Sequence, residues 1–452
     1  MQIRTRLATI SAKLTRLLIK TSRKSRGETA PGLVALKIDK KYLQNTNHNI
    51  PNRIVISGTN GKTTTTRMLT TIAQQAKINF VNNRSGSNLL RGIAASSINI
   101  KPTTTHAFWE ADEAALIEIC NQVKPTHILL TNLFRDQLDR YGEIDTILKK
   151  WIKLLAKLPK LTLILNADDP SLVHLSHAIN KHHVIFFSLK TKKTTKLADS
   201  ADAIFCPKCH KELKYQRITF SHLGKYSCNC GFSHPKVEYL ASTIRTQANK
   251  TSLTISHTNP ISRQKTKIRI QYPLIGTYNA YNALAASTTA LQLNISPETI
   301  KTALQSFKPA FGRQEIISVN KKNITTILVK NPTGFNQAIN TLKSLNTKIT
   351  LLISINDRHA DGRDVSWLWD VDFELLIPKI KKLIITGDRA LDMAIRMKYA
   401  GLKGTNVQII QDKHKAIATL TKSRSKNLYM LPTYTSLWEI RGIITGKEAP
   451  IQ

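Results

Sequence analysis

From residue 53 onward the chain alternates short runs of β-branched and aliphatic residues with stretches of helical length. The runs RIVISG, HAFWEAD, HILLTNL, LTLILNAD and HHVIFFSL read as strands, and most gaps between them leave room for a covering helix. That rhythm predicts a parallel sheet flanked by helices. Near residue 200 it stops for a segment bearing four cysteines. Three β-like segments follow, KVEYLASTIRT, TSLTISH and TKIRIQYPLIG, and then one clear helix, NAYNALAASTTALQL. A second alternating series begins near residue 324 with ITTILVK and runs through ITLLISIN, KKLIITG, NVQII and NLYMLPT. The simplest parse is two α/β domains joined around KPAFGRQE, without internal repeats or low-complexity tracts.

Residues 1–26 follow another pattern. Ile3, Leu7, Ile10, Leu14 and Leu17 recur at helical spacing among Arg4, Arg6, Lys13, Arg16 and Lys20, and the segment contains no acid. A basic amphipathic helix of this kind either lies on a membrane surface or packs on its own domain with a solvated basic face. The pattern by itself favours the second. Charges scattered through the apolar positions do not make a signal peptide, and no apolar run approaches the length of a membrane span.

Composition adds a strong charge. Lys and Arg total 67 against 29 Asp and Glu, a formal net charge of +38. Such a field draws polyanions, whether nucleic acid, anionic lipid or phosphorylated substrates. The basic residues are spread along the whole length without the interleaved aromatics of single-strand binders, so charge alone does not choose among these. A length of 452 residues allows two or three domains. Five cysteines, four of them clustered, suggest a metal site in a reducing compartment, which makes the cytoplasm the expected location.

Chemistry concentrates after the first strand. Gly58, Thr59, Asn60 and Gly61 join RIVISG to the helix KTTTTRMLTTIAQQAK, with two residues between the glycines where the common phosphate loop has four. Small residues there let backbone N–H groups close on an anion at a helix N-terminus. Lys62 can reach terminal phosphates, Thr63 can offer its hydroxyl to Mg²⁺, and Thr64 completes the expected nucleotide-binding set. Among the acids of FWEADEAAL (Glu110, Asp112 and Glu113), Glu110 is the expected Mg²⁺ ligand at the end of its strand. Cys206-x-x-Cys209 and Cys228-x-Cys230, separated by 18 residues, can supply four thiolates to Zn²⁺. Cys120, in a predicted helix, reads as core.

Taken in order, SGTNGKTTT, LNADDP, GTYNAYNALAA and FGRQE resemble the landmarks of the Mur ligase family, which activates carboxylates with ATP. The resemblance covers residues 53 to about 440 and implies that Asn282 meets the adenine and that Arg313 contacts the nucleotide. The cysteine insert, with VKNPTGFNQ, DGRDVSWLWDVDFE, GDRALDMAIRMKYAG and LPTYTSLWEIR, is similar to the MurT-type subunits of lipid II isoglutaminyl synthases. Lys330 stands where amino-acid-adding relatives carry a histidine, as in the MurT group. The second cysteine pair is one residue shorter than the group's C-x-x-C, which leaves its metal binding open.

The architecture this implies is a basic N-terminal segment (1–50), a Mur-ligase-type ATP-binding domain (51–312) with a zinc-ribbon insert (202–235), and a Rossmann-like α/β C-terminal domain (313–452). The implied reaction is ATP-dependent amidation of the D-glutamate α-carboxylate in the lipid II stem peptide, through an acyl phosphate, to D-isoglutamine. No Cys–His glutaminase pair is evident, so ammonia is expected from a separate GatD-type glutaminase, as the two halves of a heterodimer. In the resembling group an aspartate of the DGRD loop completes that partner's Cys-His pair; Asp364 is the expected one and Asp361 the reserve. Expected cofactors are ATP, Mg²⁺ and Zn²⁺, with lipid II met at the inner membrane leaflet, a peripheral position there left open, and no nucleic acid as partner. The alternatives are an amino-acid-adding or folylpolyglutamate-type ligase and, from another class, a zinc-ribbon nucleic-acid-binding NTPase, which the ordered ligase landmarks disfavour.

Overall fold

The computed structural model describes residues 3–21, 29–83, 87–134, 144–191, 204–247, 250–258, 265–309, 312–319, 322–343, 345, 347–425 and 427–446. Two compact units meet in sequence between Lys308 and Pro309. The first begins with three helices, α1 (Ile3–Thr21), α2 (Ala30–Ile38) and α3 (Tyr42–Asn47). Strands and helices then alternate: β1 (Asn52–Ser57), α4 (Lys62–Gln75), β2 (Phe80–Asn82), α5 (Leu90–Ser97), β3 (His106–Glu110), α6 (Leu116–Val123), β4 (His127–Leu130), α7 (Ile144–Lys157), β5 (Thr162–Asn166), α8 (Pro170–His177) and β6 (His183–Leu189). The cysteine insert folds around a hairpin, β7 (Lys214–Phe220) and β8 (Leu223–Ser227). The meander β9 (Tyr239–Gln247), β10 (Lys250–Thr258) and β11 (Lys265–Tyr272) returns to the sheet, before α9 (Thr277–Gln292) and α10 (Pro297–Gln305).

These strands build one nine-stranded sheet in the order β11-β10-β9-β6-β5-β4-β1-β3-β2. It is parallel from β2 to β9 and antiparallel across β9, β10 and β11. Period-two alternation sends Ile54, Ile56, Phe108, Leu129 and Ile164 into the core on one face. Val55, Trp109, Ile128, Leu130 and Leu163 enter the core on the other. Both faces are covered, which is why these strands read as nearly continuous apolar runs. The chain leaves β1 for one side (β2 and β3) and returns on the other (β4), so a crevice opens beyond the carboxyl end of β1.

The N-terminal helix packs on its own domain, as the sequence reading favoured, and departs from that reading in what it exposes. It packs on its own unit through Thr5, Ala8 and Ala12, which are fully buried. The Thr5 hydroxyl donates to Asp39 Oδ2 (2.7 Å) and Arg4 Nε to the Ile38 carbonyl (2.6 Å). The small side chains permit close approach to α2, and the face left to solvent carries an apolar stripe beside exposed Arg4, Arg6 and Lys13. Ile3, Leu7, Ile10, Leu14, Leu17 and Leu18 are all exposed, so the expectation of a solvated face that is simply basic is corrected. No helix among the described residues is long and apolar enough to cross a membrane.

The second unit holds a six-stranded sheet ordered β12-β13-β17-β14-β15-β16. Its strands are β12 (Arg313–Val319), β13 (Lys322–Ile327), β14 (Ile349–Ser354), β15 (Ile380–Thr386), β16 (Val407–Ile409) and β17 (Leu428–Pro432). Only the β12–β13 pair is antiparallel. Helices α11 (Pro332–Lys343) and α12 (Ala390–Tyr399) cover one face, and α13 (Lys413–Lys422) and α14 (Tyr434–Thr445) the other.

Candidate active site

The turn after β1 adopts a shape that needs glycine twice. Gly58 has φ +130° and Gly61 +88°, both in the left-handed region. A Cβ on Gly61 would sit 2.1 Å from Asn282 Oδ1, and one on Gly58 would sit 2.3 Å from Thr131 Oγ1. Residues just after β4 clamp the loop from the side. Asn60 N–H donates to Asn132 Oδ1 (2.9 Å), and Thr131 Oγ1 (2.9 Å) and Asn132 Nδ2 (3.0 Å) donate to the Asn60 carbonyl. Thr59 N–H donates to the Asn132 carbonyl (3.0 Å), and Thr59 Oγ1 accepts from Phe134 N–H (3.0 Å). No side chain caps the N-terminus of α4. The amide Nδ2 of Asn60 is buried without a hydrogen-bond partner among the described residues. Free helix-terminal N–H groups and an orphaned donor suit an anion.

Two acids, one ending β3 and one just after it, meet the first turn of α4. Thr63 Oγ1 donates to Glu110 Oε1 at 2.8 Å, which brings together the two groups expected to hold Mg²⁺. Lys62 Nζ lies 2.7 Å from Glu113 Oε2 and 2.5 Å from the Gly58 carbonyl. Lys62 and Glu113 are both buried, and Trp151 Nε1 donates to the Glu113 carbonyl (3.0 Å). Asp112 accepts from Ala114 N–H and shapes the local turn. Asn83, just after β2, braces Glu110, accepting its N–H and donating to its carbonyl, each at 2.8 Å. Thr64 and Thr65 are buried in α4, with Thr65 Oγ1 donating to Asn282 Oδ1 (3.3 Å). The structure thus sets Asn282, on α9, against the Gly58–Gly61 turn. Arg313 opens β12; its side chain lies outside the described residues.

The LNADDP element is a structural hub. Asp168, fully buried, accepts from Ser188 Oγ (2.8 Å) and Leu189 N–H (2.9 Å) in the sheet and from Tyr281 OH (2.8 Å) on α9. It also reaches the insert, with His234 Nε2 at 2.9 Å and Arg217 at 3.7 Å. Asp169 caps α8 through Ser171 N–H and accepts from Leu133 N–H (2.7 Å). Within the insert, the sulfurs of Cys206, Cys209, Cys228 and Cys230 all lie within 4.8 Å of one another. The pairs Cys206–Cys230 and Cys209–Cys228 are 3.6 and 3.5 Å apart. Zn–S bonds of about 2.3 Å in a tetrahedron put sulfurs roughly 3.8 Å apart, so the donor set fits Zn²⁺ despite the shortened second pair. The Phe232 N–H lowers the Cys230 thiol to about 7, toward the thiolate that a metal takes. Cys120 is buried in the core, and desolvation pushes its thiol far up.

In the second unit the two candidate aspartates have different surroundings. Asp361 is buried and accepts from Thr435 N–H at 2.8 Å and from the Thr435 hydroxyl, capping α14 from outside the helix. Burial raises its pKa despite those donors. Asp364 is exposed, and the Ser366 N–H holds its carboxyl below the usual range. Beyond the ends of β14, β15 and β17 lies a charged cluster that the sequence reading missed. Glu439 accepts from Lys413 (2.7 Å) and Asn356 (3.2 Å) and pairs with Arg358, which also holds Asp388 at 3.0 Å. The available signal was polar residues directly after each apolar strand.

Comparison with known proteins matches this geometry to a lineage. Residues 56–229 match the Mur ligase middle domain and residues 328–437 the MurT ligase C-terminal domain. The chain is 33% identical over 453 residues to the MurT subunit of lipid II isoglutaminyl synthase (glutamine-hydrolyzing) of Streptococcus pneumoniae, covering 99% of this chain and 98% of that one. It is 32% identical to the Staphylococcus aureus counterpart, over 94% of each. Among solved structures, a pseudomurein peptide ligase type C from Methanothermus fervidus superposes with a TM-score of 0.67 at 21% identity, over 91% of this chain and 82% of that one. MurF from Acinetobacter baumannii does so with 0.67 at 19% identity, over 92% and 80%. These last two share the fold. The full-length likeness to the two bacterial subunits goes further, and this chain belongs to the MurT family of the Mur ligases.

Proposed function

We propose that this chain is the synthetase subunit of a lipid II isoglutaminyl synthase, an ATP-dependent carbon–nitrogen ligase working with a separate glutaminase. The observation that carries this reading is likeness to MurT subunits across both units of the fold. The arrangement around α4 supports it. Nucleotide phosphates would lie against the Gly58–Gly61 turn, with Lys62 moving from Glu113 to the terminal phosphate. Mg²⁺, for which Thr63 and Glu110 are a fitting hydroxyl and carboxylate pair, supplies charge neutralisation on the phosphates when bound. Asn282 and Arg313 are the proposed contacts to the rest of the nucleotide.

The chemistry has two displacements. An oxygen of the D-glutamate α-carboxylate attacks the γ-phosphorus, the bond to the bridging oxygen breaks, and ADP leaves with those electrons. The nitrogen lone pair of ammonia then attacks the acyl carbon of the acyl phosphate. Phosphate departs with the C–O electrons, and the nitrogen loses a proton to give the amide. Lys62 keeps its positive charge against the transferred group throughout, where a preorganised cation is most effective. Ammonia comes from a GatD-type partner, and the exposed carboxylate of Asp364 is the group offered to it. A peripheral position at the inner leaflet would suit a lipid-linked acceptor.

The test is purified chain with ATP, lipid II and either ammonium salts or free amino acids. ADP release and amidated product with ammonium alone are expected. Release driven by amino acids instead would mean an amino-acid-adding ligase and overturn the reading.

We also propose that the four cysteines hold structural zinc. Metal analysis should find a single zinc per chain. Chelation should lower the thermal midpoint, because the apolar cluster under the ribbon is small, with Leu213, Tyr226 and Phe232 packed on Val173. Cys228→Ser should lose the metal; a metal content equal to the parent's would remove zinc from the account.

A further inference from the structure

The outward face of α1 is a continuous apolar stripe. At 100° per residue, Ile3, Leu7, Ile10, Leu14, Leu17 and Leu18 fall within an arc of about 100° along a helix roughly 28 Å long. Their exposure runs from 55% for Leu7 and Ile10 to 79% for Ile3. An ordinary surface helix turns such a stripe inward. Here the inward face is already made by Thr5, Ala8 and Ala12, fully buried and fastened to Asp39. The stripe therefore cannot turn in without breaking that packing. Exposed Arg6 and Lys13 flank it on one side and exposed Arg4 on the other. Arg16 donates to Asn99 Oδ1, a neutral acceptor, and the helix carries no acid.

We propose that α1 is a membrane-surface anchor that seats its apolar stripe in the acyl boundary of an anionic bilayer with its arginines and lysine at the headgroups. This deepens the peripheral position suggested above and rests on it for its biological purpose, though not for its physics. Charge complementarity selects the occupant. A second copy of the chain would bring one acid-free basic helix against another, which like charge opposes. An anionic leaflet answers both features at once: hydrocarbon for the stripe and negative headgroups for the rim. The chain's net charge of +38 acts in the same direction. Anchoring through the N-terminal helix would confine the first unit, and the phosphate loop within it, to the layer in which a lipid-linked acceptor diffuses.

Flotation of the full chain with vesicles tests this, using phosphatidylglycerol–phosphatidylcholine mixtures and pure phosphatidylcholine, without lipid II or nucleotide. Binding to the anionic vesicles at least tenfold tighter than to the neutral ones is expected. Leu7→Ser/Leu14→Ser should reduce it at least tenfold with an unchanged thermal midpoint, since both side chains are solvent-facing. Arg6→Glu/Lys13→Glu should abolish the preference for anionic lipid. Amidation of a soluble, lipid-free acceptor should be the same in all three proteins, while amidation of vesicle-borne lipid II falls in the variants. Vesicle binding that ignores the leucine substitutions overturns the proposal. So do a shift of the leucine variant in oligomeric state or loss of its complex with the glutaminase, which would assign the stripe to a protein partner. Because the vesicle assay contains no substrate, its result is independent of whether the amidation reading stands.

Discussion

Replacing Lys62 with alanine should lower ammonium-driven amidation of lipid II by about 10³-fold, the scale of losing one preorganised charge at a transferring phosphoryl group. The effect needs a control, because Lys62 does structural work as well. Its ammonium lies 2.7 Å from Glu113 in a buried pair, and removing one partner of such a pair strands the other at a cost of about 3–5 kcal/mol. A dead Lys62→Ala protein could thus be an unfolded one. Lys62→Met combined with Glu113→Gln removes both charges and keeps most of the volume. We expect that double variant to melt near the parent and to remain as inactive as the single one. Glu113→Gln alone should melt below the parent, because it strands the buried lysine, yet the folded protein should retain activity, because the lysine stays free for phosphate. Turnover in the double variant within tenfold of the parent would detach the loop from the chemistry.

The second large effect concerns nitrogen supply. Asp364→Asn should depress glutamine-driven amidation by about 10⁴-fold in the presence of the glutaminase, the loss seen when a histidine is deprived of its orienting carboxylate. Ammonium-driven amidation by the same protein should be unaltered, because the ligase chemistry does not use that carboxylate. Asp361→Asn provides the contrast. Its carboxylate already accepts from Thr435 at the N-terminus of α14, so its loss should cost stability of about 1–2 kcal/mol and depress both reactions together. If Asp361→Asn, and not Asp364→Asn, were selective for glutamine, the two roles would have to be exchanged. Measuring both nitrogen sources with both variants separates the cases.

Much of the fold was legible because both faces of each sheet are covered. Strands such as LTLILNAD and ITLLISIN are apolar almost throughout, and their turns are punctuated by Gly, Asn and Asp. The elements that escaped notice are short or unusual. β2 is three residues long, and β7 and β8 sit in an insert whose most conspicuous sequence signal is its four cysteines. β12 starts inside the KPAFGRQE joint and runs on to Val319, ahead of the alternating series that begins near residue 324. The Gly58–Gly61 turn was visible because residues adjacent in sequence build it. The residues that hold it were not. Thr131 and Asn132 reach the loop only because β4 pairs with β1, a fact of topology and not of spacing. The choice between Glu110 and Glu113 likewise depends on how the chain turns after β3, which three closely spaced acids do not reveal. The helix α1 misled for a third reason. Its periodicity was real, but a pattern says which residues share a face and not whether that face looks in or out.

The fit of Gly61 beneath Asn282 carries a consequence for descent. A Cβ at the glycine would overlap the amide oxygen at 2.1 Å, and that same oxygen accepts from Thr65. Three positions spread over more than two hundred residues of chain are thereby fused into one heritable unit. Lineages can drift at any of them only by changing the others in step, so their histories should be correlated even where the intervening sequence has scrambled.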